Sequence, residues 1–394
     1  MNLLTFTIWP EMIFWPDLII KGWLPYKDIA IAHNPLLILS LAGWMQVFGT
    51  QIWLIKVFTL LIALLSGVLL YRISKSILTV IVWIALWFIM GGLGLWFDLA
   101  LVPLGLLLYL LASKRKWFLA GICWGIMFLT KQTAVWFLIP ILFLRPKKEF
   151  PTGMGIILII FLSLIWKLGI LNDYWQWAIK FGIGILPSAV GQLKLPTPKN
   201  LIWTMAIIIP GIIGLTKKNW KLSLWAMAGI AGVWPRWEVF HFQPGLPFIA
   251  MGLSYLSKKM RIISSLFIFI IVMLFLGRDL NKPDRFIEPE ILEVSQYINQ
   301  HTQPTDTIFV WNTWDNIYAL SDRLPATRPW IPQLPWYLSL PGVLTKMQSD
   351  LITNRPEMII VSKSPDLPGL KELIDNKYQQ EIIIGDLTVY RKRI

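Results

Sequence analysis

The chain has 394 residues, of which 56% are hydrophobic and only 15% charged, against about 45–50% and about 25% in soluble domains. An ordinary soluble fold is therefore excluded. The formal net charge of +14 is uneven: residues 1–277 hold 23 Lys and Arg against 7 Asp and Glu, whereas residues 278–394 hold 13 against 15. The basic excess lies among apolar runs, where short cytoplasmic loops collect Lys and Arg, so it gives no support to nucleic-acid binding.

The N-terminus, Met1 to Trp9, has no basic start and no small-residue cleavage site, and does not read as a cleaved signal peptide. Apolar runs at Ile52 to Tyr71, Gly153 to Ile170 and Ile262 to Gly277 approach the roughly 17–25 residues of a membrane-crossing helix. They are continuous and do not alternate, which argues against a transmembrane barrel. Five basic clusters punctuate the runs: Arg72 with Lys75, Lys114-Arg115-Lys116, Arg145 with Lys147-Lys148, Lys217-Lys218 with Lys221, and Lys258-Lys259 with Arg261. With all five on the cytoplasmic face, each neighbouring pair encloses two crossings. The expected fold is an all-α polytopic membrane bundle of about ten transmembrane helices.

This places the connections Gly91 to Asp98, Thr130 to Thr133, Leu171 to Asn200 and Pro235 to Pro244 on the extracytoplasmic side, with everything before Ile52 and after Gly277. The interval Trp117 to Leu144 must then hold two short crossings, with Thr130-Lys131-Gln132-Thr133 at the tip of a helical hairpin. The alternative is one long tilted helix with Lys131 buried. The single cysteine, Cys123, sits in an apolar stretch and reads as an inert thiol, and no intrachain disulfide is possible.

Beyond Gly277 the pattern changes. Glu290 to Gln300 has helical apolar spacing after Pro289, and helical spacing returns at Val343 to Ile352 and Leu370 to Tyr378. Thr307 to Trp311 and Met358 to Val361 read as strands, while Glu381 to Ile384 and Leu387 to Tyr390 flank a Gly385-Asp386 turn. Two domains are expected: a transmembrane domain over 1–277 and a small C-terminal α/β soluble domain over 278–394.

Ionisable groups near a bilayer are costly unless they have a task. The scheme collects Glu11, Asp28, His33, Asp98, Lys131, Arg236, Glu238 and His241 on one face. Glu11, Gly22 to Asp28, His33-Asn34-Pro35-Leu36-Leu37 and Phe48-Gly49 resemble the first extracytoplasmic loop of GT-C-type glycosyltransferases, the polyprenyl-phosphate-sugar-dependent enzymes related to protein mannosyltransferases and aminoarabinose transferases. The likeness continues through Gly121 and Gly125, Leu129 to Thr133, Arg236 to His241 with Pro244 and Pro247, Asp306 to Val310 and Ile317 to Arg323. Two features depart from the family: only ten residues precede Glu11, where the family places a full transmembrane helix, and Pro10-Glu11 stands where it often has Asp-Glu.

The resemblance implies sugar transfer with inversion from a polyprenyl-phosphate-linked donor to a glycan, lipid or protein acceptor outside a prokaryotic-style plasma membrane, with membrane lipids as surroundings. Such chemistry needs a carboxylate to take the acceptor's proton and cations to hold the anionic leaving phosphate. Asp28, Glu11 and Asp98 are the candidate catalytic carboxylates; Lys131, Arg236, His241, His33 and Glu238 are the candidate substrate-binding residues. Simpler roles stand beside these: Asp28 as a turn residue, Glu11 as a wet loop residue, Asp98 as a helix cap, Lys131 as a snorkelling anchor, and both histidines as satisfied interface residues. No spaced metal motif is present, and a divalent cation shared between acids is the one cofactor left open. A transporter or flippase is the main rival, although transporters tend to show repeated halves and midplane sites. A non-catalytic assembly protein is a third reading.

Overall fold

The structure, a computed structural model, describes residues 9–91, 93–280, 287–362 and 367–393. Helices α1 (Glu11–Ile20) and α2 (Leu36–Phe48) precede the first long apolar helix, α3 (Ile52–Ser74). Then come α4 (Ile77–Gly91), α5 (Phe97–Ser113), α6 (Trp117–Thr130), α7 (Leu138–Phe143), α8 (Glu149–Lys167) and α9 (Leu171–Tyr174). A π-helical stretch over Trp175–Ile185 continues α9, so the expected connection Leu171 to Asn200 is partly helical. Helices α10 (Pro198–Ile230), α11 (Leu246–Ser254) and α12 (Lys258–Leu280) complete the bundle.

Among the described residues, four helices are long and apolar enough to cross a membrane: Ile52–Ser74, Glu149–Lys167, Pro198–Val233 and Lys258–Arg278. The third of these is broken at Asn219, whose backbone is extended (φ −168°, ψ 114°). Bulky apolar side chains such as Leu64, Ile159, Trp166 and Leu274 stand exposed on the outer helices. Patches of this kind are a liability in water and the natural surface in lipid.

Glycines set the closest helix contacts and reveal the chain's direction. A Cβ on Gly121 would lie 2.0 Å from the Phe150 carbonyl oxygen, and one on Gly125 would lie 2.9 Å from Ile157, so α6 and α8 run parallel. Small residues three to four apart allow this approach in membranes. Between two parallel helices the chain must return, and it does so through an extended Lys131, a 3-10 turn over Gln132–Phe137 and α7. The Trp124 indole donates to the Ala134 carbonyl (3.0 Å) across this fold-back. The hairpin expected between Trp117 and Leu144 is present. Likewise Gly211 meets Ile249 and Gly214 meets Gly252, so the first arm of α10 runs parallel to α11, and the turn at Asn219 sends the second arm back until Gly229 meets Gly245.

The tail is an α/β unit with helices α13 (Pro289–His301), α14 (Asn316–Ser321), α15 (Pro335–Leu338), α16 (Val343–Asn354) and α17 (Leu370–Lys377). Its strands are β1 (Thr307–Trp311), β2 (Leu324–Pro325), β3 (Met358–Ser362), β4 (Tyr378–Ile384) and β5 (Leu387–Lys392), in the order β2-β1-β3-β5-β4. The central pair β1 and β3 is parallel, while β5 runs antiparallel to both β3 and β4. The four longer strands follow the sequence reading. The two-residue β2 and the irregularity between Gln380 and Ile382 were not legible, because neither leaves an alternating pattern.

Helix α1 is held between bundle and tail. Phe14 stacks on Tyr318 (centroids 4.8 Å apart) and meets Trp330 edge-on (4.9 Å). The first loop pairs with the tail through its backbone as well: Trp330 N–H donates to Asp28 O (2.8 Å) and Ala30 N–H to Trp330 O (2.9 Å). Lys21 adds a link to Asp322 (2.7 Å).

Candidate functional site

Asp98 lies in the first turn of α5 and is 1% exposed. No side chain caps this helix; the Asp98 carboxylate points instead to the tip of the α6–α7 hairpin, where Lys131 Nζ donates to its Oδ2 at 2.6 Å. Lys131 is 3% exposed and so does not snorkel to the surface. His241, in the 3-10 turn Val239–Gly245, completes the cluster, with Nδ1 2.9 Å from Asp98 Oδ2 and 3.2 Å from Lys131 Nζ. Burial, followed by the Lys131 charge, holds His241 below its ordinary range. The neutral ring that donates Nδ1–H to Asp98 keeps Nε2 as an acceptor. His33 is also neutral: burial first, then Lys131, drive it down to about 3.

Arg236 is the hinge of the site. Its Nη1 donates to Gly191 O (3.1 Å), its Nη2 lies 3.3 Å from Glu238 Oε1, and its guanidinium lies 4.9 Å from the Trp336 ring centre. Glu238 also accepts from Lys194 (2.7 Å). Three neighbouring cavities share Arg236 as a wall. A chamber of about 420 Å³ contains His33, Lys131 and His241 among mostly apolar walls that include Trp136, Ile183 and Trp234. A second, of about 400 Å³, contains Glu11, Glu238, Trp96 and the tail residues Trp314, Asp315 and Trp336. A third, of about 140 Å³, lies between them and shares Glu11 with one and His33 and His241 with the other.

Glu11 therefore lines two of the three cavities that share Arg236, and Lys131 lines the third. Its Oε2 is buried without a hydrogen-bond partner, and burial pushes its carboxyl up to about 7. Opposite stands Asp315, whose Oδ1 is also buried and unpartnered; burial and then the Glu11 charge raise it well above the ordinary carboxylate range.

Asp28 is placed differently. It does not line the three cavities, and both its oxygens are engaged: Oδ2 accepts from Leu24 N–H (2.9 Å) and Oδ1 from Arg328 Nε (2.9 Å). Burial raises its carboxyl, but the Arg328 hydrogen bond and the Leu24 amide outweigh it and hold the group below its ordinary range. With Arg328 also resting on Trp23 (4.9 Å), this pair clasps the tail to the first loop. Asp28→Asn and Arg328→Ala are each expected to destabilise the protein by about 1–2 kcal/mol, and the double variant by less than the sum of the two. Additive losses of melting temperature in nanodiscs would show that the two do not act together.

Six of the eight sequence candidates, Glu11, His33, Lys131, Arg236, Glu238 and His241, thus line these cavities, while Asp98 stands behind Lys131 and Asp28 lies apart. Sequence reading missed Asp315, Trp96, Trp314 and Trp336. Asp315 had a signal, since it follows β1 closely and ligands favour the carboxyl ends of parallel strands; Trp336 had none. Among the described residues no group of three or more His, Cys, Asp or Glu could hold a metal ion. Glu11 and Asp315 each leave a buried oxygen unpartnered, and both line one chamber.

The architecture of this bundle, with its tail seated on the first loop, is the GT-C fold that the first-loop residues led us to expect. Two crystal structures share it: ArnT from Cupriavidus metallidurans bound to undecaprenyl phosphate, and the same protein in the apo state. Each has a TM-score of 0.66 and 11% identity, covering 99% of this chain and 94% of ArnT, a likeness that establishes the fold. Residues 288–393 match the family described as "Putative competence-induced protein Ccs4 C-terminal domain". No curated protein matches the chain in sequence.

Proposed function

We propose that the protein is a membrane glycosyltransferase that moves a sugar, with inversion, from a polyprenyl-phosphate-linked donor to an extracytoplasmic acceptor. The observation that carries this reading is the set of three cavities that share Arg236, two of them lined by Glu11, whose Oε2 is unpartnered, and the third by Lys131. A lipid phosphate is held by Lys131 and Arg236, with its chain along the apolar walls, as the undecaprenyl phosphate bound to ArnT also supports. The acceptor hydroxyl oxygen attacks the anomeric carbon, the carbon–phosphate oxygen bond breaks, Glu11 takes the proton, and the lipid phosphate leaves as an anion. Asp98 holds Lys131, Glu238 orients Arg236, and His33 and His241 offer neutral ring nitrogens to the sugar. Asp28 acts here by clasping the tail, which carries Asp315, to the segment that follows α1.

In this reading the bundle crosses the plasma membrane about ten times, residues 1–277 form the transferase domain, and residues 278–394 form an extracytoplasmic domain. Cysteines placed at Ser113 and Gln379 should label oppositely with an impermeant thiol reagent, Gln379→Cys from outside and Ser113→Cys only after permeabilisation. The native Cys123 is buried and stays silent. Labelling of Ser113→Cys from outside would overturn the topology. The activity itself is tested by incubating purified protein with radiolabelled polyprenyl-phosphate sugars. Arg236→Lys, which keeps the charge but loses the planar fork, should cut turnover by about tenfold or more. Turnover with none of the donors by the folded wild type would sink the proposal.

A further inference from the structure

The chamber of about 400 Å³ is built jointly by the first loop and the tail, and its polar atoms are unsatisfied in a particular way. Glu11 Oε2 and Asp315 Oδ1 are buried acceptors without partners, and the buried indole N–H of Trp96 is a donor without one. All three residues line the same chamber, with Trp314, Trp336 and Gln333 beside them. Unpaired buried groups of this kind cost free energy, and a ligand that satisfies them must both donate and accept. An ammonium group or a divalent cation would answer the two carboxylates but not the indole. A hydroxyl answers both. The indole faces, electron-rich above and below the ring, complement the polarised C–H face of a sugar ring.

We propose that this chamber is the acceptor subsite and that it takes a neutral saccharide unit, seated on Trp314 and Trp336 and hydrogen-bonded by Glu11, Trp96 and the tail's Asp315. The inference rests on the transferase reading for the word acceptor, but not for the binding. Asp315 is then a specificity-determining residue supplied by the tail, and the tail becomes part of the site. The raised carboxyls of Glu11 and Asp315 fit this role, because a partly protonated pair offers an acceptor and a donor to successive hydroxyls.

The test uses the full chain in nanodiscs, saturation-transfer NMR with methyl glycosides of neutral hexoses, and a separate titration with undecaprenyl phosphate. Wild type should bind a glycoside, and Asp315→Asn and the exposed-site variant Trp314→Ala should weaken that binding by about tenfold or more while undecaprenyl-phosphate affinity is unchanged. If no glycoside binds, if glycosides bind equally well to both variants, or if choline or Mn²⁺ alone binds in an Asp315-dependent manner, the saccharide subsite is refuted. If glycosides bind as expected but undecaprenyl phosphate does not, the subsite stands and the lipid-phosphate reading fails.

Discussion

Glu11→Gln is expected to reduce kcat/KM by about 10²–10⁴-fold, the usual contribution of a positioned general base, and at the same time to make the protein more stable at neutral pH. Both effects come from burial. A carboxyl raised to about 7 is matched to proton abstraction near physiological pH, so wild-type kcat/KM should fall on the acid side of about pH 7. Asp315, Arg236, Glu238, His33, His241 and Tyr337 are the ionisable groups that line its cavities. The stability effect follows from linkage. Because the folded state holds this proton more tightly than the unfolded chain, stability falls as pH rises from the ordinary carboxylate range to about 7 and is lowest above it. The penalty is up to about 3 kcal/mol, and glutamine does not carry it. Melting curves of wild type and Glu11→Gln should therefore coincide near pH 4 and separate by pH 8, with the variant higher. An inactive variant that is also less stable at pH 8 would assign Glu11 to structure; an active one would remove it from catalysis.

The contrast between Glu11 and Asp28 shows what the sequence could and could not tell. Both are acids in a first loop of GT-C-like pattern, and nothing in their spacing separates them. What separates them is Arg328, 300 positions away from Asp28, and Asp315, which faces Glu11 from the tail. Contacts of that sequence separation leave no periodic trace. The bundle was more legible because charge and hydropathy act locally: basic clusters, the hairpin tip at Lys131 and the strand regions of the tail all carry short-range signals. The pairing of Lys131 with Asp98 lay between these cases. Topology placed both on one face, but only the parallel packing of α6 and α8 and the return through Gln132–Phe137 bring the ammonium to the start of α5.

That pairing governs how Lys131 must be tested. Lys131→Ala leaves Asp98 buried without its partner, which is expected to cost about 3–5 kcal/mol, so loss of activity in this variant alone would not distinguish a phosphate ligand from a structural lysine. Removing both charges does. In Asp98→Asn/Lys131→Met the buried charge is gone, the lysine's length is largely kept, and the asparagine still offers an acceptor to His241, so the double variant should recover most of the wild-type stability. Its affinity for undecaprenyl phosphate should nonetheless fall by about tenfold or more, because a charge-assisted hydrogen bond to the phosphate is lost, and turnover should fall further, since that bond strengthens as negative charge gathers on the leaving oxygen. Asp98→Asn alone is the complementary arm: it frees Lys131 from its carboxylate and should leave phosphate affinity equal or stronger. If the double variant is stable and binds undecaprenyl phosphate as wild type does, Lys131 serves the fold only, and Arg236 must hold the phosphate without it.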